Sequence, residues 1–274
     1  MFRRKESRTS VKAFTIENKR ESLALDLRKQ DREERISKKR AKPQTPFMPL
    51  QHSTPLQPPG QIPGEIPDAG ITPAVVEGCF SDNIKIQYQA ARQVRQAFKQ
   101  DNFKYIISQL NTSHLIPRFV SFLQTPNLEL IYETTWILLN IASGPREATN
   151  KVVQAGAIPE LLRLLTTLHR RGDEAMKILE HIIWTLANIA GEHDVAYYIA
   201  QKALPQIIDT LRGSSPTLQA LVASLLSNLA ESKPALSFEQ MKQIMPPLQL
   251  LIHSPDTPVS MEALRCLGNI TLEV

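Results

Sequence analysis

The sequence predicts an all-α chain, a stack of helical repeats preceded by a basic arm and a proline-rich linker. Three observations carry this. Asn140, Asn188, Asn228 and Asn269 recur at steps of 48, 40 and 41 residues, with Gln96 in the same phase 44 residues upstream. A second marker, an apolar residue before Pro117, Pro159, Pro205 and Pro246, recurs at steps of 42, 46 and 41. Glycine is scarce, at 10 of 274 residues, and the chain beyond residue 80 spaces its apolar residues at helical intervals.

Two independent markers with one period indicate an array, and about 40–47 residues is the period of armadillo and HEAT units. Length alone would suggest two domains. An array overrides that expectation, because each repeat contacts only its neighbours. Proline at a first helical position loses no needed hydrogen bond, so each proline marker is expected to open a helix.

Residues 1–42 carry 15 Lys/Arg against 7 Asp/Glu, while the remainder carries 17 against 20. A basic arm thus precedes a mildly acidic body, as in a tail made for a partner. Residues 16–35 lack Pro and Gly and are rich in helix formers. Their apolar face is thin (Ile16, Leu23 and Leu27), so the helix is expected to be marginal alone and to fold on a partner. Taken by itself, the arm also reads as a solvated tail that attracts RNA or anionic lipid. Residues 43–73 hold nine prolines and read as an extended, disordered linker.

The array is expected over 74–274. Its first repeat uses 86–98 and 116–123, its second 127–143 and 157–165, its third 173–190 and 203–211, its fourth 216–231 and 243–252. A fifth begins at Thr257 and is incomplete at Val274, so the helix 260–271 is expected to lack its next neighbour, by truncation or under a different cover.

Trp136 stands four residues before Asn140, and Trp184 four before Asn188. Each pair projects from one helix face, and Ser143-Gly144 and Gly191 end the two helices. One Trp and one Asn in a helix are commonly core, and an Asn can simply bridge to the next repeat. Repetition in phase favours a shared inner surface on which two indoles stand beside a row of carboxamides. An amide suits a peptide backbone lying across the row. Slots between indoles suit the stem and cation of Lys or Arg, at about 0.5–2 kcal/mol each. Glu192 is placed to take the ammonium group. The expected ligand is an extended, lysine-rich peptide.

With these residues in view, the chain resembles the importin-α (karyopherin-α) family. Trp136–Gly144 followed by Ala155-Gly-Ala-Ile-Pro159 is similar to the family's second armadillo repeat, and Trp184–Glu192 to its third. Residues 16–42, with Leu27-Arg28-Lys29 and Lys38-Lys39-Arg40, resemble its importin-β-binding segment. The resemblance implies a right-handed armadillo solenoid, no enzymatic activity and no cofactor. It implies an adaptor moving between cytoplasm and nucleus, with importin-β and lysine-rich nuclear localisation signals as partners rather than nucleic acid or membrane. It places Trp136, Asn140, Ser143, His181, Trp184, Asn188 and Asn228 at the signal-peptide site, and Gly144, Thr149 and Glu192 at the pocket for its most discriminating lysine. Arg28, Lys29, Lys38, Lys39 and Arg40 become importin-β-binding residues, with Lys38-Lys39-Arg40 an internal competitor for the groove.

Departures accompany the likeness. Glu192 stands for an Asp and His181 for a Gln, while Ser224 and Arg265 replace aromatic residues. Micromolar binding needs about 8 kcal/mol, and two indole slots supply about 1–4 kcal/mol. The Asn row and Glu192 must supply the rest, so weaker and more selective signal binding is expected. Two alternatives stand beside the adaptor: a truncated competitor that binds importin-β without cargo, and an armadillo scaffold of the β-catenin type.

Other classes find no support in the residues. There is no Gly-rich phosphate loop, HExxH or GxSxG motif. Cys79 and Cys266 are far apart and read as free thiols of a reducing compartment rather than a disulfide or zinc site. The six histidines are scattered, and Glu192-His193-Asp194 reads as a water-exposed loop rather than a metal site. No apolar run reaches about 18 residues.

Overall fold

The structure, a computed structural model, describes residues 70–98, 103–168, 171, 173–191 and 193–272, all in the unit that spans 42–274. Among the described residues there are twelve helices and no strand. They are α1 (Pro73–Phe80), α2 (Ile84–Ala97), α3 (Phe103–Thr112), α4 (Leu115–Phe122), α5 (Leu128–Ala142) and α6 (Arg146–Gln154), then α7 (Ala157–Leu168), α8 (Asp173–Ala190), α9 (His193–Asp209), α10 (Pro216–Ala230), α11 (Phe238–Ile252) and α12 (Thr257–Leu272). The predicted arm and most of the linker lie outside the described residues.

Helix starts follow from side chains that satisfy the orphan N–H groups of a first turn. Asn127 Oδ1 accepts from Leu130 N at 2.7 Å before α5. Ser215 Oγ accepts from Leu218 N at 3.2 Å before α10. Ser237 and Gln240 form a reciprocal capping box on α11.

Helices α2, α5, α8, α10 and α12 pack in succession as one row. Their long apolar faces make the core: Leu130, Ile137 and Ile141 of α5 are fully buried, as are Ile182, Ile183 and Leu186 of α8. A second row is tied by arginines at the repeat spacing. Arg118 Nε of α4 donates to Cys79 O of α1 at 2.8 Å. Arg163 Nη2 of α7 donates to Leu123 O, at the end of α4, at 2.6 Å. Both cations satisfy carbonyls that a helix C-terminus leaves without an internal partner. Burial pushes the Cys79 thiol up to about 12, with Arg118 opposing the shift, so this cysteine is a neutral core residue.

The proline markers divide into two kinds. Pro117 and Pro159 sit in the first turns of α4 and α7. Three residues before each, the chain turns through the left-handed region, at His114 (φ 53°) and Gly156 (φ 81°). Pro205 and Pro246, expected to open helices, lie inside α9 and α11. The residues three before them are Lys202 and Gln243, both helical. With neither Gly nor a left-handed turn at that position, the helix runs on through the proline. His193 and Asp194 accordingly begin α9 rather than a loop.

Gly156 has nothing within 4 Å of where a Cβ would stand, so its substitution tests backbone conformation alone. Gly156→Ala should lower stability by about 1 kcal/mol, read as a lower urea midpoint at unchanged m-value. An unaltered midpoint would show that this joint does not depend on a left-handed residue.

Candidate functional site

The row of α2, α5, α8, α10 and α12 carries the predicted Trp and Asn positions. Trp136 and Trp184 are both half-buried, on adjoining helices. His181, one turn before Trp184 on the same face of α8, stands against Trp136, with ring centroids 4.8 Å apart and planes at 76°. The two indoles therefore stand on adjoining helices, with the His181 imidazole against Trp136. Tyr132 adds a second ring, 5.1 Å from His181.

His181 is 4 % exposed. Burial, then the charges of Lys177 and Arg95, holds its pKa down at about 3, so it is neutral near pH 7. Thr135 Oγ1 lies 3.2 Å from its Nδ1. That hydroxyl donates its one proton to Tyr132 O at 3.0 Å. It is left to accept from Nδ1–H, which fixes the neutral tautomer.

The carboxamides do not form a uniform row. Asn228 Nδ2 donates to Ala187 O at 2.8 Å, and Asn269 Nδ2 donates to Ser227 O at 3.2 Å. Each bridges to the carbonyl that precedes the Asn of the helix before it. For Asn188 the matching acceptor is Leu139 O. That oxygen already accepts from Ser143 N at 2.9 Å and from Ser143 Oγ at 3.0 Å. The Ser143 hydroxyl has one proton and stands 3.0 Å from both Leu139 O and Asn140 O, so it shares in the second lone pair of Leu139 O. At Ala187 O the residue in Ser143's place is Gly191, which brings only its N–H, at 3.2 Å, and leaves room for Asn228. Asn188 is fully buried and, among the described residues, neither of its amide atoms has a hydrogen-bond partner. Asn140 is half-buried and its Nδ2 turns back to Trp136 O at 2.9 Å.

Thr149 is fully buried and its hydroxyl lies 3.3 Å from Ala142 O. Gly144 follows Ser143 at the end of α5, its N–H donating to Ile141 O at 3.1 Å. These two lie together beside the C-terminus of α5. Glu192, Arg28, Lys29, Lys38, Lys39 and Arg40 lie outside the described residues.

Two arginines that the repeat phase did not single out as pairs act across the row. Arg95 of α2 forms a hydrogen-bonded ion pair with Glu133 of α5, and its guanidinium carbon lies 6.0 Å from the Trp136 ring centroid. Burial raises the Glu133 pKa, and Arg95 opposes the rise. At the other end, Arg265 Nη2 donates to Ser224 Oγ at 3.0 Å while paired with Glu262. Ser224 and Arg265 are the residues that stand where the earlier repeats have Trp.

Comparison with known proteins sets this geometry among relatives. The Importin beta binding domain family matches residues 3–92, and the Armadillo/beta-catenin-like repeat family matches 145–191. Importin subunit alpha-2 of Arabidopsis thaliana is 29 % identical over 274 residues, covering 98 % of this chain and 49 % of its own length. Importin subunit alpha-1a of Oryza sativa subsp. japonica is 31 % identical over 273 residues, covering 98 % and 49 %. The chain thus spans about half the length of these curated relatives. Among solved structures, a designed armadillo repeat protein in complex with peptide (KR)4 superposes with TM-score 0.59 at 22 % identity. That match covers 72 % of this chain and 80 % of that one, a likeness of fold.

The buried imidazole gives a test with a defined sign. In the unfolded chain a histidine titrates near 6.5, in the folded chain His181 near 3. Between these values the unfolded state binds the extra proton, so stability falls as pH is lowered through 6.5 and the loss levels off near 3. His181→Gln should flatten the curve by up to about 1.4 kcal/mol per pH unit within that window, read from urea midpoints at several pH values. Parallel curves for the two proteins would refute a buried neutral imidazole.

Proposed function

The chain belongs to the importin-α family, and from that premise we propose that it is a nuclear import adaptor moving between cytoplasm and nucleus. It binds lysine-rich nuclear localisation signals along the α5–α8–α10 row, and importin-β through its basic arm with Arg28, Lys29, Lys38, Lys39 and Arg40. The family is one of adaptors, not enzymes.

One observation carries the cargo half of this reading. Trp136 and Trp184 lie half-buried on adjoining helices, each one turn before a carboxamide. The aliphatic stem of a lysine fits beside an indole and its ammonium group gains from the ring quadrupole. Asn140, Asn188 and Asn228 are the carboxamides for the peptide backbone, with Asn140 and Asn228 acting through Oδ1 because their Nδ2 groups are held by Trp136 O and Ala187 O. Asn188 has the most to gain, because a buried amide without partners costs about 1–3 kcal/mol that a peptide N–H and C=O would relieve. Ser143 and Thr149 shape the wall beside Gly144, where the most discriminating lysine would sit with Glu192 as its counter-ion.

A second reading is favoured by the two cross-row arginines. With Arg95 over Trp136 and Arg265 across Ser224, the row already holds cations where a basic ligand would lie. A competitor that engages importin-β without cargo would have such a row. A pulldown separates the readings: importin-β together with signal peptide supports the adaptor, importin-β alone the competitor, neither the β-catenin-like scaffold.

Trp184→Ala should weaken an oligolysine signal peptide by about tenfold in a calorimetric titration. An unchanged affinity would remove this residue from the site. Deleting residues 1–42 should raise affinity for the same peptide, by removing Lys38-Lys39-Arg40 as internal competitor. If the affinity does not move, the arm does not enter the row.

A further inference from the structure

We propose that Arg95 is a resident cation at the Trp136 slot, placed there by the chain itself, so that the two indoles are unequal and Trp184 is the one open to an incoming lysine. The inference rests on the peptide-binding reading of the row and adds to it a specificity-determining residue.

Arg95 is on α2, the helix packed against α5 on the side away from Trp184. Its guanidinium carbon lies 6.0 Å from the Trp136 ring centroid, within the reach of a cation–π contact. The group does not arrive there by chance of a flexible stem. Glu133, one turn before Trp136, holds it in an ion pair, with the two side chains 20 % and 5 % exposed. Removing a carboxylate from water is costly unless a cation accompanies it, so Glu133 needs Arg95 where it is. The same pair therefore holds the guanidinium beside the indole.

Among the described residues, Arg95 is the cation recorded over the Trp136 ring, while Lys177 acts on the adjoining His181 and is paired with Glu180. His181, against the same indole, is kept neutral by burial and contributes no cation. At Trp184 the situation differs: among the described residues, no guanidinium or ammonium group stands over that ring. A peptide lysine that enters at Trp136 must displace Arg95 and approach a like charge. One that enters at Trp184 meets no described guanidinium or ammonium group over the ring. The consequence is selection for peptides whose principal basic residue reads on Trp184, and a lower affinity for uniformly basic runs than two open slots would give.

The test uses the full chain and a fluorescein-labelled oligolysine peptide, read by fluorescence anisotropy. Arg95→Leu alone strands a buried carboxylate and risks unfolding. The working variant is therefore Arg95→Leu with Glu133→Leu, which replaces the pair by apolar residues, a change that is often neutral or stabilising. Urea midpoints of both proteins establish that the variant is folded. The expected result is about tenfold tighter binding, and loss of that gain when Trp136→Ala is added to the pair variant. Coupling to Trp136 is what a purely structural ion pair would not produce. Equal or weaker binding by the folded pair variant, or a gain that survives Trp136→Ala, overturns the role of Arg95 while leaving the peptide site standing. If neither the parent chain nor the pair variant binds the peptide, the peptide-binding reading falls, and the inference with it.

Discussion

The inner row depends on how backbone carbonyls share out their lone pairs. A helix carbonyl near a C-terminus has acceptor capacity that its own helix does not use, and a carboxamide from the next helix can take it. Asn228 and Asn269 do so, each reaching the carbonyl that precedes its counterpart. These bonds set the register of α10 on α8 and of α12 on α10, between faces that are otherwise apolar and permissive of sliding. At the α5–α8 junction the bond is missing, and there the Ser143 hydroxyl, shared between Leu139 O and Asn140 O, crowds the acceptor. One hydroxyl, present in Ser143 and absent from Gly191, accompanies the difference between Asn228, whose Nδ2 is bonded across the row, and Asn188, neither of whose amide atoms has a partner among the described residues.

Around that junction, burial and charge act together. His181 is neutral because it is out of water and because Lys177 and Arg95 are near. Glu133 tolerates burial because Arg95 accompanies it. Trp136 stands against this set, with His181 at its edge and Arg95 over its ring. The family relationship therefore supplies the frame, an armadillo row, and Arg95, Glu133 and His181 fill it beside Trp136. Ser224 and Arg265 show the same pattern further along, where an arginine bonded to a serine stands at positions that carry indoles in the earlier repeats.

Much of this was legible in sequence. The in-phase asparagines located α5, α8, α10 and α12, Gln96 located α2, and the bounds 173–190 expected for the third repeat coincide with α8. The short helices α1, α3 and α6 escaped, since 8 to 10 residues carry too few turns for a periodic pattern. The joints escaped for a different reason. A proline marks a helix start only where a residue upstream can turn left-handed, and the sequence signal was the Gly156-to-Lys202 and His114-to-Gln243 contrast rather than the proline itself. Arg95 was passed over because the repeat phase pointed to Gln96. Its significance lies in a partner 38 residues away, which periodicity does not identify. Whether an asparagine bridges or stays unbonded turns on the residue three positions beyond the preceding one, a second-order signal that a motif search does not weigh.

The unbroken course of α9 and α11 has a mechanical consequence. At His114 and Gly156 two helices meet at a corner, and a corner is a place where a small change in backbone dihedral angles reorients one rod against another. Where Lys202 and Gln243 stand, one helix runs on through a proline whose missing N–H takes a rung out of the hydrogen-bond ladder. The second row therefore changes its joint along its length, from a corner between two helices beside α5 and α8 to a proline-bearing helix beside α10 and α12.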